Sequence, residues 1–260
     1  MTNLILSGCG GRMGEAVSRL VSDRSDVKIV AGVDINVSAV KEFPVYSSIE
    51  EFSGKADVIV DFSHHSALPT LLEYAIKTST PLVVCTTGHS AEELELMKKA
   101  SEKVAVFFSG NMSIGINLLM ELCRQAAKAL GQSFDVEIIE KHHNKKLDAP
   151  SGTALMIADA LSSERDKTEY VYDRHTERRL RDPAEIGIHS VRGGTIVGEH
   201  EVIFAGNNEM ITISHSAASR EIFAEGAVRA AVYMCGKTKG SFDMSDVIHQ
   251  GLLDAISNIN

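Results

Sequence analysis

The segment EKHHNKKLDAPSGTA, residues 140–154, concentrates side chains that can move protons and hold anions. His142 and His143 are followed closely by Lys146, and a Pro-Ser-Gly-Thr stretch follows at 150–153. Histidine titrates near neutral pH and can donate a proton, whereas lysine is a cationic partner for a carboxylate. Together these residue types indicate a site that binds a small anion and protonates it.

The residues after the lysines have the pattern of a helix start. Ser151 or Thr153 is the expected N-cap of a helix that continues through ALMIADAL, and the amides of Gly152 and Thr153 would then face the basic loop. A helix N-terminus beside a lysine makes a receptor for a carboxylate. The alternative interpretation is a basic surface loop before a capped helix, and the segment alone does not decide between the two.

The elements that must position this segment fall into two patterns. Through residue 111, apolar β-rich runs alternate with helical spacing, which predicts right-handed crossovers and a doubly wound parallel α/β sheet. The predicted strands are 3–8, 27–34, 56–63, 81–87 and 104–111. The predicted helices between them are 12–23, 67–79 and 90–103, and the last of these opens with a capping box.

After residue 112 the pattern becomes that of an α+β domain. A helix over 113–131 and a strand over 134–143 lead into the basic segment. The strands from 186 onward are split by Gly-Gly and by Gly-Asn-Asn, which predicts an antiparallel meander. A helix over 220–236 is expected to return to the first domain. The predicted domains are 1–112 completed by 220–260, and 113–219.

The run YVYDRHTERRLRDPAE, residues 170–185, carries charges of both signs. One interpretation is a clamp for an anion. The other, which we favour, is a solvated and mobile loop.

A glycine-rich turn follows the first predicted strand. Gly8, Gly11 and Gly14 have G-x-x-G-x-x-G spacing between a strand and a helix. Glycines at these positions allow a tight turn and let the backbone approach a pyrophosphate at the helix N-terminus. The candidate contacts are Gly8, Cys9, Gly10, Gly11, Arg12 and Met13.

Asp34 ends the second predicted strand, 20 positions beyond Gly14. A carboxylate there can accept a hydrogen bond from a ribose 2′-hydroxyl, although Asp34 could instead be a turn residue. The next residue is Ile35, so a 2′-phosphate would meet a carboxylate with no adjacent cation. The sequence therefore predicts a preference for NADH, with NADPH possible but weaker.

Two further strand ends are candidates for cofactor contacts at the carboxyl edge of the sheet. The alternative is ordinary turn chemistry by serine, threonine and glycine. The residues are Cys85, Thr86 and Thr87 after one strand, and Ser109, Gly110, Asn111 and Met112 after the next.

Composition excludes several classes. The 260-residue chain has a formal net charge of −9, which opposes nucleic-acid binding. Its four cysteines form no C-x-x-C pair, and adjacent histidines on a strand point to opposite faces, so no metal site is predicted. The N-terminus lacks a signal-peptide pattern, and no apolar run suits a membrane span. A soluble, cytoplasmic protein is expected.

Three segments resemble the 4-hydroxy-tetrahydrodipicolinate reductase family, also called dihydrodipicolinate reductase, of bacterial lysine and diaminopimelate synthesis. They are GCGGRMG at 8–14, IIEKHHNKKLDAPSGTA at 138–154 and GIHSVRGGTIVGEHEVIF at 187–204, and the resemblance extends over residues 3–248. It implies a Rossmann-type domain that binds NAD(P)H. It also implies a second domain, with an open mixed sheet, that binds a small cyclic dicarboxylate and forms a homotetramer.

The resemblance also implies roles for particular residues. His142 would be the proton donor or its partner, and Lys146 a second proton-donating, carboxylate-binding group. His143 and the amides of Gly152 and Thr153 would hold the substrate carboxylates. The cofactor would contact the glycine loop, Asp34 and the two strand ends. There are three departures from the family pattern. Cys85 stands in place of glycine, and Ser109-Gly110-Asn111-Met112 stands in place of a pattern closer to Ala-x-Asn-Phe. Ile35 stands in place of the basic residue of members that also accept NADPH.

Two other functions are compatible with the cofactor pattern alone. One is another NAD-dependent oxidoreductase, such as an amino-acid or semialdehyde dehydrogenase. The other is a catalytically silent dinucleotide sensor, which would have no use for the basic segment.

Overall fold

The computed structural model describes residues 1–36, 41–175 and 178–257. The chain divides into two compact units, Met1–Ile114 with Glu221–Asn260, and Gly115–Arg220. Within the described residues, no helix has both the length and the apolar character that crossing a membrane requires.

The elements follow one another in chain order. The first part contains β1 (Thr2–Ser7), α1 (Arg12–Ser22), β2 (Val27–Val33), β3 (Val45–Tyr46), β4 (Val58–Asp61), α2 (Leu68–Thr78), β5 (Leu82–Val84), α3 (Ala91–Ser101) and β6 (Ala105–Phe108). The middle contains α4 (Ile114–Leu130), β7 (Asp135–His142), α5 (Gly152–Ser162), β8 (Glu169–Val171), β9 (Glu185–Arg192), β10 (Gly198–Ala205) and β11 (Met210–Ala217). The chain ends with α6 (Glu221–Met234), β12 (Gly240–Phe242) and α7 (Met244–Ser257).

The first unit is built on a seven-stranded sheet. Its strand order is β12-β6-β5-β4-β1-β2-β3, and the neighbouring strands are parallel. Alternate residues of β1 serve opposite faces: Leu4 packs in one apolar cluster with Val17 of α1 and Ala227 of α6, and Ile5 packs in another with Leu71 of α2. Burial on both faces explains why the strands are almost continuously apolar. This confirms the predicted doubly wound, Rossmann-type sheet.

The second unit is built on a five-stranded mixed sheet of order β11-β10-β7-β9-β8. β10 is antiparallel to both β11 and β7, whereas β9 is parallel to β7 and β8. The predicted antiparallel meander is therefore wrong at β9, because β7 lies between β9 and β10. The Gly-Gly turn does not join neighbouring strands. It crosses the end of β7, where Gly193 N donates to His142 O.

One face of this second sheet carries the core of the unit. Even-numbered residues of β7, such as Val136 and Ile138, are fully buried in an apolar cluster with Cys123 of α4 and Ile157 of α5. The odd-numbered residues of β7 are only half-buried. The alternation places Glu140 and His142 on the core face, at the end of the strand where the basic segment begins.

The polar run at 170–185 is tied to this sheet. Arg181 is 18% exposed and donates to Asp135 Oδ1 at 2.7 Å and to Glu137 Oε1 at 3.1 Å. Arg174 pairs with Glu137 and with the fully buried Glu185. The expected solvated loop is wrong for Arg181, because β-strand carboxylates hold its side chain. Residues 176 and 177 of the predicted run lie outside the described residues.

Candidate active site

The glycine turn after β1 is compact. Gly8 has a φ of +76°, and a Cβ there would lie 2.6 Å from the carbonyl carbon of Phe62. A Cβ on Gly14 would lie 2.2 Å from Gly8 O, so both positions require glycine. Gly11 is the N-cap of α1 and has no side chain to cap the helix. No side chain of the N-cap therefore covers the first turn of α1, and binding of an anion there remains a prediction.

The side chains of this turn differ in access. Gly10, Gly11 and Arg12 are exposed, and Met13 packs partly against the core of the unit. Cys9 is fully buried, and burial raises the pKa of its thiol. The Cys9 side chain is therefore closed to solvent, whereas the Arg12 guanidinium is open to it.

Asp34 lies directly after β2 and is hydrogen-bonded to the glycine turn. Its Oδ2 accepts from Gly10 N at 2.8 Å, and its Oδ1 accepts from Asn36 N at 3.0 Å. Ile35 beside it is 97% exposed. The fold thus brings together a carboxylate and the glycine turn, which are separated by more than twenty positions in the chain.

The segment after β5 is anchored by a residue that sequence reasoning missed. Thr86 Oγ1 donates to Asp61 Oδ2 at 2.8 Å, and Asp61 is fully buried at the end of β4. Cys85 is buried, and burial followed by the Asp61 charge raises the pKa of its thiol well above the usual range. Thr87 is exposed. Asp61 therefore links two adjacent strand ends at the carboxyl edge.

The segment after β6 forms a tight turn. Ser109 Oγ donates to Asn111 O at 2.8 Å, and Asn111 Oδ1 accepts from Ser113 N at 2.8 Å. Gly110 is exposed at the tip of this turn. Met112 is buried in the apolar cluster that contains α6, so its side chain belongs to the core. A cofactor contact by Met112 remains a prediction.

In the second unit, His142 at the end of β7 is held from several sides. Its Nδ1 lies 2.6 Å from Glu140 Oε2. Its ring makes an angle of 76° with that of His200, with the centroids 5.3 Å apart. A Cβ on Gly198 would lie 3.1 Å from His142 Nε2, so the absence of a side chain at 198 leaves room for the imidazole.

Glu140 is a fully buried carboxylate with several donors. Arg192 donates to both of its oxygens, at 2.6 and 2.8 Å, and Ser151 N donates at 3.1 Å. Burial by itself would raise the pKa of Glu140, but the hydrogen bonds from Arg192, Ser190, His142 and Ser151 outweigh it and lower the pKa to about 2. For His142, burial is the largest influence and lowers the pKa, against the opposing effect of Glu140.

Helix α5 starts where the sequence predicts. Of the two expected caps, Ser151 is the N-cap, and its side chain accepts from Ala154 N at 3.1 Å. Gly152 is exposed and Thr153 is half-buried in the first turn. Within the described residues, open space lies where a Cβ of Gly152 would be. The first turn of α5 can therefore be approached by a ligand at Gly152.

The remaining basic residues lie in the loop between β7 and α5. Lys146 Nζ lies 2.9 Å from Asp148 Oδ2, and the Lys146 hydrogen bond lowers the pKa of that carboxyl. His143 Nε2 lies 3.2 Å from Arg220 Nη2. Arg220 follows β11 and was missed by sequence reasoning, because 77 positions separate the two residues. The site thus contains an ammonium, a guanidinium, imidazoles and helix-start amides.

This arrangement can hold carboxylates and move a proton. Lys146 and Arg220 supply positive charge, and His142 has one ring nitrogen held by a carboxylate and the other beside a glycine. Glu140, Arg192 and His200 were also missed as site residues. Glu140 carried one available signal, since it stands two positions before His142 and so shares its strand face. In the part of the chain that the structure describes, no three His, Cys, Asp or Glu side chains are placed to hold a metal ion.

Comparison with known families covers both units. The family model "Dihydrodipicolinate reductase, N-terminus" matches residues 2–112, and the model "Dihydrodipicolinate reductase, C-terminus" matches residues 115–248. Together these matches span nearly the whole chain.

Named relatives agree with this match. The chain is 53% identical, over 252 residues, to a 4-hydroxy-tetrahydrodipicolinate reductase of Caldanaerobacter subterraneus, with 96% of this chain and all of that protein covered. It is 46% identical, over 250 residues, to the enzyme of the same name from Clostridium tetani, with 96% and 98% covered.

A solved structure of a dihydrodipicolinate reductase has the same fold as this chain. Dipicolinate-bound dihydrodipicolinate reductase from Paenisporosarcina sp. TG-14 superposes with a TM-score of 0.78 at 26% identity, covering 95% of this chain and 99% of that one. By the two family models, the relatives and this fold, the chain belongs to the dihydrodipicolinate reductase family.

Proposed function

We propose that this protein reduces the dehydrated form of 4-hydroxy-tetrahydrodipicolinate to tetrahydrodipicolinate with NAD(P)H, in lysine and diaminopimelate synthesis. The observation that carries the proposal is the buried Glu140–His142 pair at the end of β7, beside the first turn of α5. Lys146 lies in the loop that joins β7 to α5. A related enzyme of 26% identity binds dipicolinate, a planar dicarboxylate. The same class of ligand suits the cations of this site.

Binding of a dicarboxylate requires positive charge and donors at two places. We assign one carboxylate to Lys146 and the amides of Gly152 and Thr153, since a helix start and an ammonium act on the same anion. The other carboxylate is assigned to His143, whose contact with Arg220 extends the positive surface. Together these groups offset the desolvation of a doubly charged ligand.

The chemistry needs a proton at carbon as well as a hydride. When bound, the nicotinamide supplies the hydride to a ring carbon conjugated to an imine and a carboxylate. Lys146 and the amides of α5 stabilise the negative charge that develops on the conjugated system, which lowers the barrier selectively. His142 and Lys146 are the two groups that can deliver the proton, and a donor must stand within hydrogen-bond reach of the carbon.

The first unit has a suitable site for the dinucleotide. Gly8 and Gly14 permit the tight turn, the exposed Gly10 and Gly11 fit the approach of a pyrophosphate, and Asp34 at the turn fits a ribose hydroxyl. The segments 85–87 and 109–112 are assigned to the nicotinamide half, with Cys85 and Met112 contributing backbone groups. We expect NADH to be preferred, because Ile35 supplies no cation for a 2′-phosphate.

We further propose a cytoplasmic homotetramer. The outer face of the second sheet carries half-buried side chains, among them Ile139, Glu201 and Ile203, and a second copy of the chain is its expected partner. The structure contains free cysteines and three of the four are buried, as expected in a reducing compartment. Light scattering of the purified protein tests the assembly, and a monomeric mass would refute it.

The activity is tested by NADH oxidation with substrate generated in situ from pyruvate and aspartate semialdehyde. Turnover that depends on both precursors is the expected result. Binding of NADH without turnover would overturn the reductase proposal and favour a dinucleotide sensor. Equal or better kcat/KM with NADPH would contradict the assigned cofactor preference.

A further inference from the structure

We propose that Glu140, held by Arg192, is a positioning residue that orients both the His142 imidazole and the first turn of α5. The inference rests on the proposed function, because it assigns His142 to proton transfer and α5 to carboxylate binding. The new element is that one buried carboxylate, Glu140, contacts both the residue assigned to proton transfer and the helix assigned to carboxylate binding. Glu140 itself lies 2.6 Å from the imidazole and is fully buried.

The two oxygens of Glu140 have separate partners. Oε2 lies 2.6 Å from His142 Nδ1 and accepts from Arg192 Nη1 at 2.8 Å. Oε1 accepts from Ser151 N at 3.1 Å and from Arg192 Nη2 at 2.6 Å. One oxygen therefore serves the imidazole and the other serves the helix, while the planar guanidinium of Arg192 spans both. Such a bidentate pair restricts rotation of the carboxylate.

The contact with Oε2 determines which nitrogen of His142 carries hydrogen. A carboxylate accepts only, so Nδ1 must be the protonated nitrogen in the neutral ring. The other nitrogen, Nε2, then lies beside Gly198 and is the one that gains or loses a proton during turnover. The perpendicular His200 ring packs against the imidazole and limits its rotation.

The contact with Oε1 acts on the helix start. Ser151 donates its backbone N–H to Glu140, and its side chain caps α5 by accepting from Ala154 N. The Ser151 hydroxyl also lies 3.2 Å from His200 Nε2. The cap is therefore held by the strand that carries His142. A shift of Glu140 would move both the imidazole and the amides of Gly152 and Thr153.

The energetics favour a positioning role over a purely structural one. A buried carboxylate is costly to desolvate, and apolar residues of similar volume often replace a buried ion pair without loss of stability. In the Glu140–Arg192 ion pair, each oxygen of Glu140 also has a second partner. Oε2 contacts the imidazole of His142, and Oε1 accepts from the N-cap residue Ser151. In serine proteases, removal of the carboxylate charge behind a catalytic histidine lowers kcat by about 10⁴ through the wrong tautomer.

The decisive test uses nitrogen NMR of ¹⁵N-histidine-labelled protein, with His142 assigned through a His142→Gln variant. The expected wild-type signal at high pH is that of the Nδ1–H tautomer, and Glu140→Gln is expected to lose it. The same variant should lower kcat at least about a hundredfold. It should also weaken binding of pyridine-2,6-dicarboxylate at least about tenfold, because the start of α5 moves. Glu169→Gln, an exposed position on β8 of the same sheet, is the matched control and should behave as wild type.

An Nε2–H tautomer in the wild-type protein, or unchanged kcat in folded Glu140→Gln, would overturn the proposal. If Glu140→Gln does not fold, the double variant Glu140→Gln/Arg192→Met is measured in its place. The second substitution removes the guanidinium that the first one leaves without a carboxylate partner. The tautomer and the pyridine-2,6-dicarboxylate affinity need no turnover. A wild-type protein that has the Nδ1–H tautomer and binds pyridine-2,6-dicarboxylate, but oxidises no NADH, would therefore refute the reductase function. The positioning role of Glu140 would still be supported.

Discussion

Gly198→Ala tests how closely the imidazole of His142 must be placed. A Cβ at 198 would lie 3.1 Å from His142 Nε2, about 0.3 Å short of ordinary contact, which begins at 3.4 Å. The ring cannot simply swing away, because its Nδ1 is held at 2.6 Å by Glu140 and the His200 ring packs against it. We therefore expect the added methyl group to displace Nε2 by a few tenths of an ångström.

The magnitude follows from the sensitivity of catalysis to position. A misplacement of about 1 Å can cost about a hundredfold in rate, so a displacement of about 0.3 Å predicts a loss of about fourfold in kcat. Overpacking destabilises by about 1–3 kcal/mol, and the reduced freedom of the unfolded chain offsets about 0.4–1 kcal/mol of this. The folded protein should therefore survive the substitution.

The assay is steady-state NADH oxidation together with urea unfolding. Gly193→Ala is the control, because within the described residues no atom beyond Gly193 and its two chain neighbours lies within 4 Å of the Cβ position at 193. That variant should retain wild-type kcat. Unchanged kcat in Gly198→Ala, or an equal loss in Gly193→Ala, would refute the argument that crowding at Nε2 limits the reaction.

Three further outcomes are expected. His142→Ala and Lys146→Ala should each lower kcat about a hundredfold or more, and Lys146→Ala should also raise KM. If steady-state kinetics of either variant give a near-normal kcat, the residue substituted in that variant does not take part in the mechanism. Ile35→Arg should increase kcat/KM for NADPH relative to NADH, because it places a cation beside Asp34, and an unchanged ratio would contradict the specificity assignment. The pKa of Glu140 is lowered from 4.5 to about 2, so its contribution to stability is present above about pH 4.5 and is lost as the pH falls towards 2. Acid unfolding monitored by circular dichroism should show this loss in wild type and a flatter profile in Glu140→Gln, and identical profiles would argue against it.

The charges around His142 bear on the source of the proton. Burial lowers the pKa of His200 to about 4, so this neighbour adds no positive charge near neutral pH. Lys146 is held at 2.9 Å by the exposed Asp148 and remains a separate cation in the same loop. The two candidate donors thus differ in their partners, a buried carboxylate for His142 and an exposed one for Lys146.

Local patterns in the chain were sufficient to predict much of the first unit. The parallel strands, the capping box at Ser90 and the turn from Gly8 to Gly14 all depend on neighbouring residues, which a reader of the sequence can see directly. The start of α5 at Ser151 was predictable for the same reason. In each case hydrophobic period, capping chemistry and glycine freedom act over only a few positions.

Long-range pairing was not predictable in this way. The insertion of β7 between β9 and β10 depends on strands that are distant in sequence, so the Gly-Gly turn was interpreted as part of a meander. Arg181 of the 170–185 run was interpreted as solvated because its carboxylate partners, Asp135 and Glu137, lie far away in the chain.

The sequence by itself determined the class of fold, the glycine turn from Gly8 to Gly14 and the location of the basic segment at residues 140–154. These features depend on residue type and short spacing. Only the tertiary structure decided that Glu140 is buried, that Arg192 spans its two oxygens and that Arg220 contacts His143. The physical reason is that a buried charge is tolerated only where the fold assembles its partners from several strands and loops. Chemistry at His142 therefore depends on a carboxylate two positions away and on a distant guanidinium, and no local pattern contains the contact with Arg192.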